Sequence, residues 1–111
     1  SLSELPVERF IGPAVITRSG AKHPRGVGLL FIDEPLLAEF DAIVEAEPKF
    51  VGGAMEERLE RALLQEGIIT YTGLRQLEEL PEERTFTFIG LPLRLKDGDG
   101  SPVRAVALLE E

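Results

Sequence analysis

The chain has 111 residues, a formal charge of −8 at pH 7 and no cysteine. This length predicts one domain, residues 1–111, whose core needs neither a disulfide nor a metal ion to hold it together. The excess of acidic residues argues against nucleic-acid binding, which requires a basic face. There is no signal-peptide pattern and no apolar run of about 20 residues. We therefore expect a cytoplasmic protein that does not associate with membranes.

The first strand pattern is a β-branched run over residues 10–18. Because proline cannot donate to a strand ladder, Pro13 implies either that the strand begins at Ala14 or that its first part lies at an edge. Residues 19–26 are rich in glycine, proline and charge and are typical of a loop. The apolar run VGLLFI at residues 27–32 then predicts a second, fully buried strand.

A helix pattern follows the second strand. Asp33 can cap free N–H groups at its start, Pro35 is tolerated in the first turn, and Pro48 ends it. Its apolar side chains recur at helical spacing and form one stripe: Leu36, Leu37, Phe40, Ile43 and Val44. Residues 49–52 are a short strand candidate.

A second helix is predicted over residues 53–65, with Gly67 as its C-terminal cap. Residues 68–71 predict another short strand. Leucines spaced three apart over residues 74–80 predict a third, short helix that stops before Pro81. Strands and helices thus alternate along this part of the chain, which is typical of a layered α/β domain with some parallel pairing.

Two long apolar runs, residues 85–95 and 103–109, close the chain. An Asp-Gly repeat at residues 97–100 separates them, and Asp-Gly favours a tight reversal of the backbone. The pattern predicts two antiparallel strands in the middle of a sheet. The overall prediction is α/β, one layered domain with a mixed sheet and about three helices.

Few residues suggest chemistry. His23 is the only histidine, and a metal site or a catalytic triad needs converging partners, so we expect an exposed loop residue. Asp97 and Asp99 fit a turn better than a calcium loop. On the second helix, Glu56 and Glu60 share a face and could form a carboxylate pair. The neighbouring Glu57 and Arg61 form an i,i+4 ion pair that suits a solvated face.

Four sequence blocks in order carry a family resemblance. They are residues 9–16 (RFIGPAVI), residues 59–69 (LERALLQEGII), residues 73–80 (GLRQLEEL), and a C-terminal block made of residues 86–93 (FTFIGLPL) and 97–106 (DGDGSPVRAV). They resemble the C-terminal half of the cyclase family of metal-dependent amide hydrolases, which includes the bacterial kynurenine formamidases. The resemblance implies the swivelling β/β/α fold of that family.

The family's metal motif, His-x-Gly-Thr-His-x-Asp, does not occur in this sequence. The resemblance places the two later ligands of the family at Glu60 and Thr72, so neither keeps its residue type. These two positions are the candidate metal residues, and no catalytic residue is assigned. We therefore expect no cofactor, with Zn or Mn as the alternative.

Two functions follow from the resemblance. The first is a truncated cyclase homologue without amide hydrolysis, acting as a homo-oligomer, which we expect to be a dimer, or as a partner-binding domain. The alternative is a metal-dependent hydrolase of the arylformamidase or cyclic-amide type. Its site would be completed by a second chain or by ligands such as His23, Glu56 and Glu60. A small-molecule cleft between strands and helices is a third possibility.

Overall fold

The computed structural model describes residues 11–74, 76–82, 84–92 and 103–108. These ranges contain six strands and two α-helices. In chain order they are β1 (Ile11–Thr17), β2 (Gly28–Phe31), α1 (Phe40–Glu45), β3 (Val51–Gly52), α2 (Glu57–Gln65), β4 (Thr70–Tyr71), β5 (Phe86–Pro92) and β6 (Val103–Leu108). Single turns of 3-10 helix lie at Leu37–Glu39 and Leu77–Glu79. The mixed α/β class predicted from the sequence is confirmed. Neither α-helix in these ranges has the length and apolar character needed to cross a bilayer.

The six strands form one mixed sheet in the order β4-β3-β2-β1-β5-β6. Strands β1 to β4 run parallel, whereas β5 is antiparallel to β1 and to β6. The predicted antiparallel pair is therefore confirmed. Its predicted place in the middle of the sheet is wrong for β6, which forms one edge. The predicted turn at residues 97–100 lies outside the described residues.

Strand β1 changes partner along its length. Ile11 to Ala14 pair with β5, and the pairing with β2 begins only at Ala14. Pro13 lies opposite Thr87 of β5 in the part of β1 that precedes the β2 ladder. A residue without an N–H is tolerated there because no ladder bond to β2 is required. Of the two possibilities that Pro13 left open, the one in which the first part of the strand lies at an edge is confirmed.

Both faces of the sheet bury apolar side chains. One face packs against the two helices through Val15, Leu29, Phe31, Ile43, Ala46, Val51, Leu59 and Leu63. The other face is covered by the segment that holds the second 3-10 turn, and its buried side chains are Ala14, Ile16, Leu30, Phe50, Tyr71, Leu77, Phe86 and Phe88. The second helix is amphipathic, because Leu59 and Leu63 are fully buried while Arg58 and Arg61 are exposed.

The first predicted helix starts later than expected. Asp33 does not cap it, because Asp33 Oδ2 accepts a hydrogen bond from the Ser19 N–H at 3.0 Å. The chain instead makes the 3-10 turn at Leu37–Glu39 before α1 begins. The Leu37 N–H at the start of that turn donates to Glu56 Oε2 at 3.3 Å. A carboxylate from a later element therefore takes the role predicted for Asp33.

The second and third predicted helices are also shorter. Gly53 has φ +113, which is not helical, and α2 begins only at Glu57. The third predicted helix is reduced to the 3-10 turn at Leu77–Glu79. The predicted cap at Gly67 is confirmed: its φ is +81, its N–H donates to Leu64 O, and the Ile68 N–H donates to Leu63 O. These two bonds form a Schellman motif.

Three aromatic rings dominate the face opposite the helices. The ring centroids of Phe50, Tyr71 and Phe88 lie between 4.7 and 5.7 Å apart. Gly28 in β2 makes room for this cluster, because a Cβ built there would lie 2.1 Å from Phe50 Cζ. Aromatic clusters of this kind contribute strongly to core stability. Burial in this cluster raises the pKa of the Tyr71 phenol to about 12.

The pKa of Tyr71 gives a pH-dependent prediction. The folded chain holds the phenol proton more tightly than the unfolded chain, in which the group titrates near 10.0. Stability is therefore unaffected below pH 10 and falls by about 2 to 3 kcal/mol as the pH rises towards 12. Because Tyr71 is the only tyrosine, the ultraviolet absorbance of tyrosinate reports this group alone. A midpoint near 10 in the folded chain would contradict the prediction, and the urea-unfolded chain is the control.

Candidate functional site

The candidate site lies at the carboxyl ends of β1 and β2. Parallel strands bring these ends to one edge of the sheet, where ligands commonly bind in open α/β sheets. The loop over residues 18–27 follows β1 at this edge and carries His23. The His23 side chain is only 2% exposed, and its ring packs edge-on against Phe31 with centroids 5.2 Å apart. The prediction of an exposed histidine is wrong.

Both ring nitrogens of His23 have partners. Nε2 lies 2.9 Å from Glu39 Oε2, and Nδ1 lies 2.9 Å from Thr17 Oγ1. Because an ionised carboxylate only accepts hydrogen bonds, Nε2 carries a hydrogen and donates it to Glu39. In the neutral ring Nδ1 is then the acceptor, and the Thr17 hydroxyl donates to it. The three side chains form a continuous hydrogen-bonded chain from β1 through the loop to the 3-10 turn before α1.

The same loop is fixed at three further points. Glu39 Oε1 accepts from the Gly20 N–H at 2.9 Å, so both oxygens of this carboxylate hold the loop. Asp33 holds Ser19, and the Gly26 N–H donates to Ala46 O at 2.9 Å. Surface loops usually bond to water. This loop is bonded to β1, to the segment after β2, to the 3-10 turn and to the end of α1, and is therefore a preorganised element.

A hydroxyl, an imidazole and a carboxylate in this order also occur in hydrolytic triads. Such a nucleophile must reach the carbonyl of a substrate. Thr17 is only 7% exposed, and its hydroxyl is held by a ring that is itself buried. The Thr17–His23–Glu39 chain therefore anchors the loop and orients its neighbours, and it does not present a nucleophile.

Basic side chains gather beside the anchored loop in an open cleft of about 430 Å³. Arg18 and Lys22 come from the loop, and Arg84 and Glu82 come from the segment before β5. The two segments meet because β5 is antiparallel to β1, with Ala14 opposite Phe86. Arg18 Nη2 donates to Glu82 Oε1 at 2.7 Å across the cleft, and both side chains are about half exposed.

The carboxylates singled out on the second helix have separate roles. Glu56 bonds to Arg58 and to the Leu37 N–H. The Arg58 guanidinium holds the pKa of the Glu56 carboxyl below its ordinary value, the Leu37 N–H acts in the same direction, and desolvation opposes both. The predicted ion pair of Glu57 with Arg61 is confirmed.

The positions assigned from the family resemblance lie elsewhere. Glu60 is partly exposed on α2, and Thr72 is exposed immediately after β4. His23 is held by Thr17 and Glu39, so it does not join Glu56. Within the described part of the chain, no three His, Cys, Asp or Glu side chains are grouped so as to hold a metal ion.

Sequence reasoning missed Glu39 and the basic cleft. One local signal was available, because Arg18 directly follows the apolar run of β1 and therefore stands at the carboxyl end of a strand. Nothing local links residue 84 to residue 18. Comparison with protein-family profiles and with curated proteins gives no match to this chain.

Proposed function

We propose that this chain is a cyclase-like domain that acts by associating with a second copy of itself and does not catalyse metal-dependent amide hydrolysis. The observation that carries the proposal is the chemistry at positions 60 and 72. Position 60 holds a partly exposed glutamate and position 72 an exposed threonine. A neutral hydroxyl is not among the nitrogen, sulfur and carboxylate ligands that bind Zn²⁺ in proteins.

The finer fold assignment belongs to the same proposal. The swivelling β/β/α arrangement is supported by four parallel strands whose helices cover one face, followed by an antiparallel pair. It is also supported by the positions of the blocks that carry the resemblance, since residues of these blocks form β1, α2, β5 and β6.

Self-association is supported by the exposed apolar side chains and by the sheet edges. Leu36 and Leu64 are 61% and 53% exposed, Leu36 just before the first 3-10 turn and Leu64 on α2. Strand β4 pairs with β3 and forms one edge of the sheet. An open edge can pair with another chain, and a two-fold contact lets the same patch serve both copies.

We expect sedimentation equilibrium at micromolar concentration to show a dimer. Leu64→Gln should weaken the dimer by about tenfold or more, because burying a leucine at a contact contributes about 1.5 to 3 kcal/mol. Gln65→Ala, a change at the neighbouring exposed position, is the control and should leave the dimer unchanged. A wild-type chain that is only monomeric would contradict self-association.

The absence of hydrolysis is tested separately. The purified chain is analysed for bound metal and assayed with N-formylkynurenine after addition of Zn²⁺ or Mn²⁺. We expect neither stoichiometric metal nor turnover. Tight stoichiometric metal together with turnover would overturn the proposal and favour the metal-dependent hydrolase.

A further inference from the structure

We propose that the cleft beside Arg18 binds a small organic acid, a carboxylate on a compact apolar body. The volume of the cleft, about 430 Å³, lies within the range of small-molecule sites, about 300 to 1,000 Å³. The cleft stands at the carboxyl end of β1, the edge at which open α/β sheets bind ligands. This inference is independent of the proposed self-association.

The charge of the cleft opposes that of the chain. The whole sequence has 20 acidic and 12 basic residues. Among the described residues that line the cleft, the charged ones are Arg18, Lys22 and Arg84 on the basic side and Glu82 on the acidic side. Composition alone would predict more acidic than basic residues along a cleft. A concentration of positive charge inside a concave surface raises the local concentration of anions.

The geometry favours a carboxylate. A guanidinium presents parallel N–H donors that match the two oxygens of a carboxylate. In this structure Arg18 already donates to a carboxylate, that of Glu82. Both members of that pair are about half exposed, so the pair is weakly held and an incoming carboxylate can exchange with Glu82 at low cost.

The rest of the lining suits an apolar body. Ala21 and Pro24 are exposed and contribute apolar atoms to the wall, and the exposed hydroxyl residue Thr85 also lines it. Thr17 also belongs to the wall and is held by His23. The anchored loop thus fixes one side of the cleft, and a fixed wall lowers the entropy lost on binding.

A larger cleft among the described residues lacks these features. It has a volume of about 560 Å³ and lies at the opposite ends of the strands, near Ile11 at the start of β1 and Gly67 before β4. Lys49 is the one charged residue among the described residues that line it. Volume alone would favour that cleft, whereas the chemistry of the lining favours the smaller one.

The test is titration of the 111-residue chain with sodium benzoate, monitored by amide NMR at low ionic strength. We expect saturable shifts at Arg18, Lys22 and Arg84. Arg18→Gln should weaken binding about tenfold, the loss expected for a charge-assisted hydrogen bond. Arg61→Gln is the matched control, because it removes the same charge from an exposed ion pair on α2, and it should change the affinity less than twofold.

A second pair of variants separates the cleft from general electrostatics. Glu82→Gln removes the competing carboxylate and should tighten benzoate binding, whereas Glu57→Gln makes the same charge change on α2 and should not. Acetate should bind at least about fivefold more weakly, because it lacks the apolar body. Equal effects of Arg18→Gln and Arg61→Gln, equal affinity for benzoate and inorganic phosphate, or no saturable shift would each overturn the proposal.

Discussion

Replacing Gly53 with alanine will destabilise the fold by about 3 kcal/mol or more, the largest effect that we expect from a single methyl group. Gly53 follows β3, is buried and has φ +113, a conformation that L-residues rarely adopt. A Cβ at this position would lie 2.3 Å from the carbonyl oxygen of Phe31. That oxygen belongs to the backbone of the neighbouring strand β2, so it cannot move aside as a side chain could. The backbone strain and the steric clash therefore add.

The measurement is urea unfolding followed by far-ultraviolet circular dichroism. Gly67→Ala is the matched control, since Gly67 also has positive φ, +81, but a Cβ there has no neighbour within 4 Å. Gly67→Ala should lose only the stability that the left-handed backbone conformation costs an L-residue, about 1 to 2 kcal/mol. If the two variants lose the same stability, the clash with the Phe31 carbonyl oxygen does not contribute to the loss. A folded Gly53→Ala chain of wild-type stability would contradict the described backbone at this turn.

The sequence predicted the strands well because their signals are local. The apolar runs that gave β1, β2, β5 and β6 need only their own composition and spacing. The Gly67 cap was predicted for the same reason. A glycine directly after a helix lets the following N–H groups bond to the carbonyl oxygens of the last turn, without a distant partner. The sequence could not decide whether Pro13 precedes the strand or lies in a first part of the strand at an edge. The answer depends on where the pairing with β2 begins.

The predicted helix starts were wrong because the residue that caps a helix can come from a distant part of the sequence. Asp33 has a suitable type and position for a cap, but its carboxylate binds the N–H of Ser19 on the preceding loop. The acceptor for the Leu37 N–H is Glu56, nineteen residues further along the chain. Neither partner can be found from the residues around the helix start, because each depends on how the loops cross the sheet edge.

The candidate site was missed for the same physical reason. The loop that carries His23 has the composition of an exposed loop. The His23 ring is buried because it contacts Phe31 and Glu39. The basic cleft needs Arg18 and Arg84 to come together, which follows only from the antiparallel pairing of β1 and β5. Local sequence therefore predicts the elements of this domain, whereas the site arises from their order in the sheet.

Removing the carboxylate of Glu39 will have the second-largest effect. In Glu39→Ala, the buried ring of His23 loses the acceptor for Nε2 and the Gly20 N–H loses its partner. A buried donor left unpaired costs about 1 to 3 kcal/mol, whereas the exposed Gly20 N–H can bond to water, so we expect a loss of about 1 to 3 kcal/mol. Glu57→Ala removes an exposed carboxylate from an ion pair and should cost less than about 1 kcal/mol.

Three tests show whether the loss comes from the anchored loop. Glu39→Gln keeps one acceptor oxygen, which can serve either His23 or Gly20 but not both, so its stability should lie between those of the wild type and Glu39→Ala. Amide exchange at Gly20 should accelerate in Glu39→Ala, because the lost hydrogen bond holds the loop to the 3-10 turn. Thr17→Val breaks the same hydrogen-bonded chain at its other end. If its effect simply adds to that of Glu39→Ala, the three side chains do not act as one unit, since coupled partners show non-additive losses of about 0.5 kcal/mol or more.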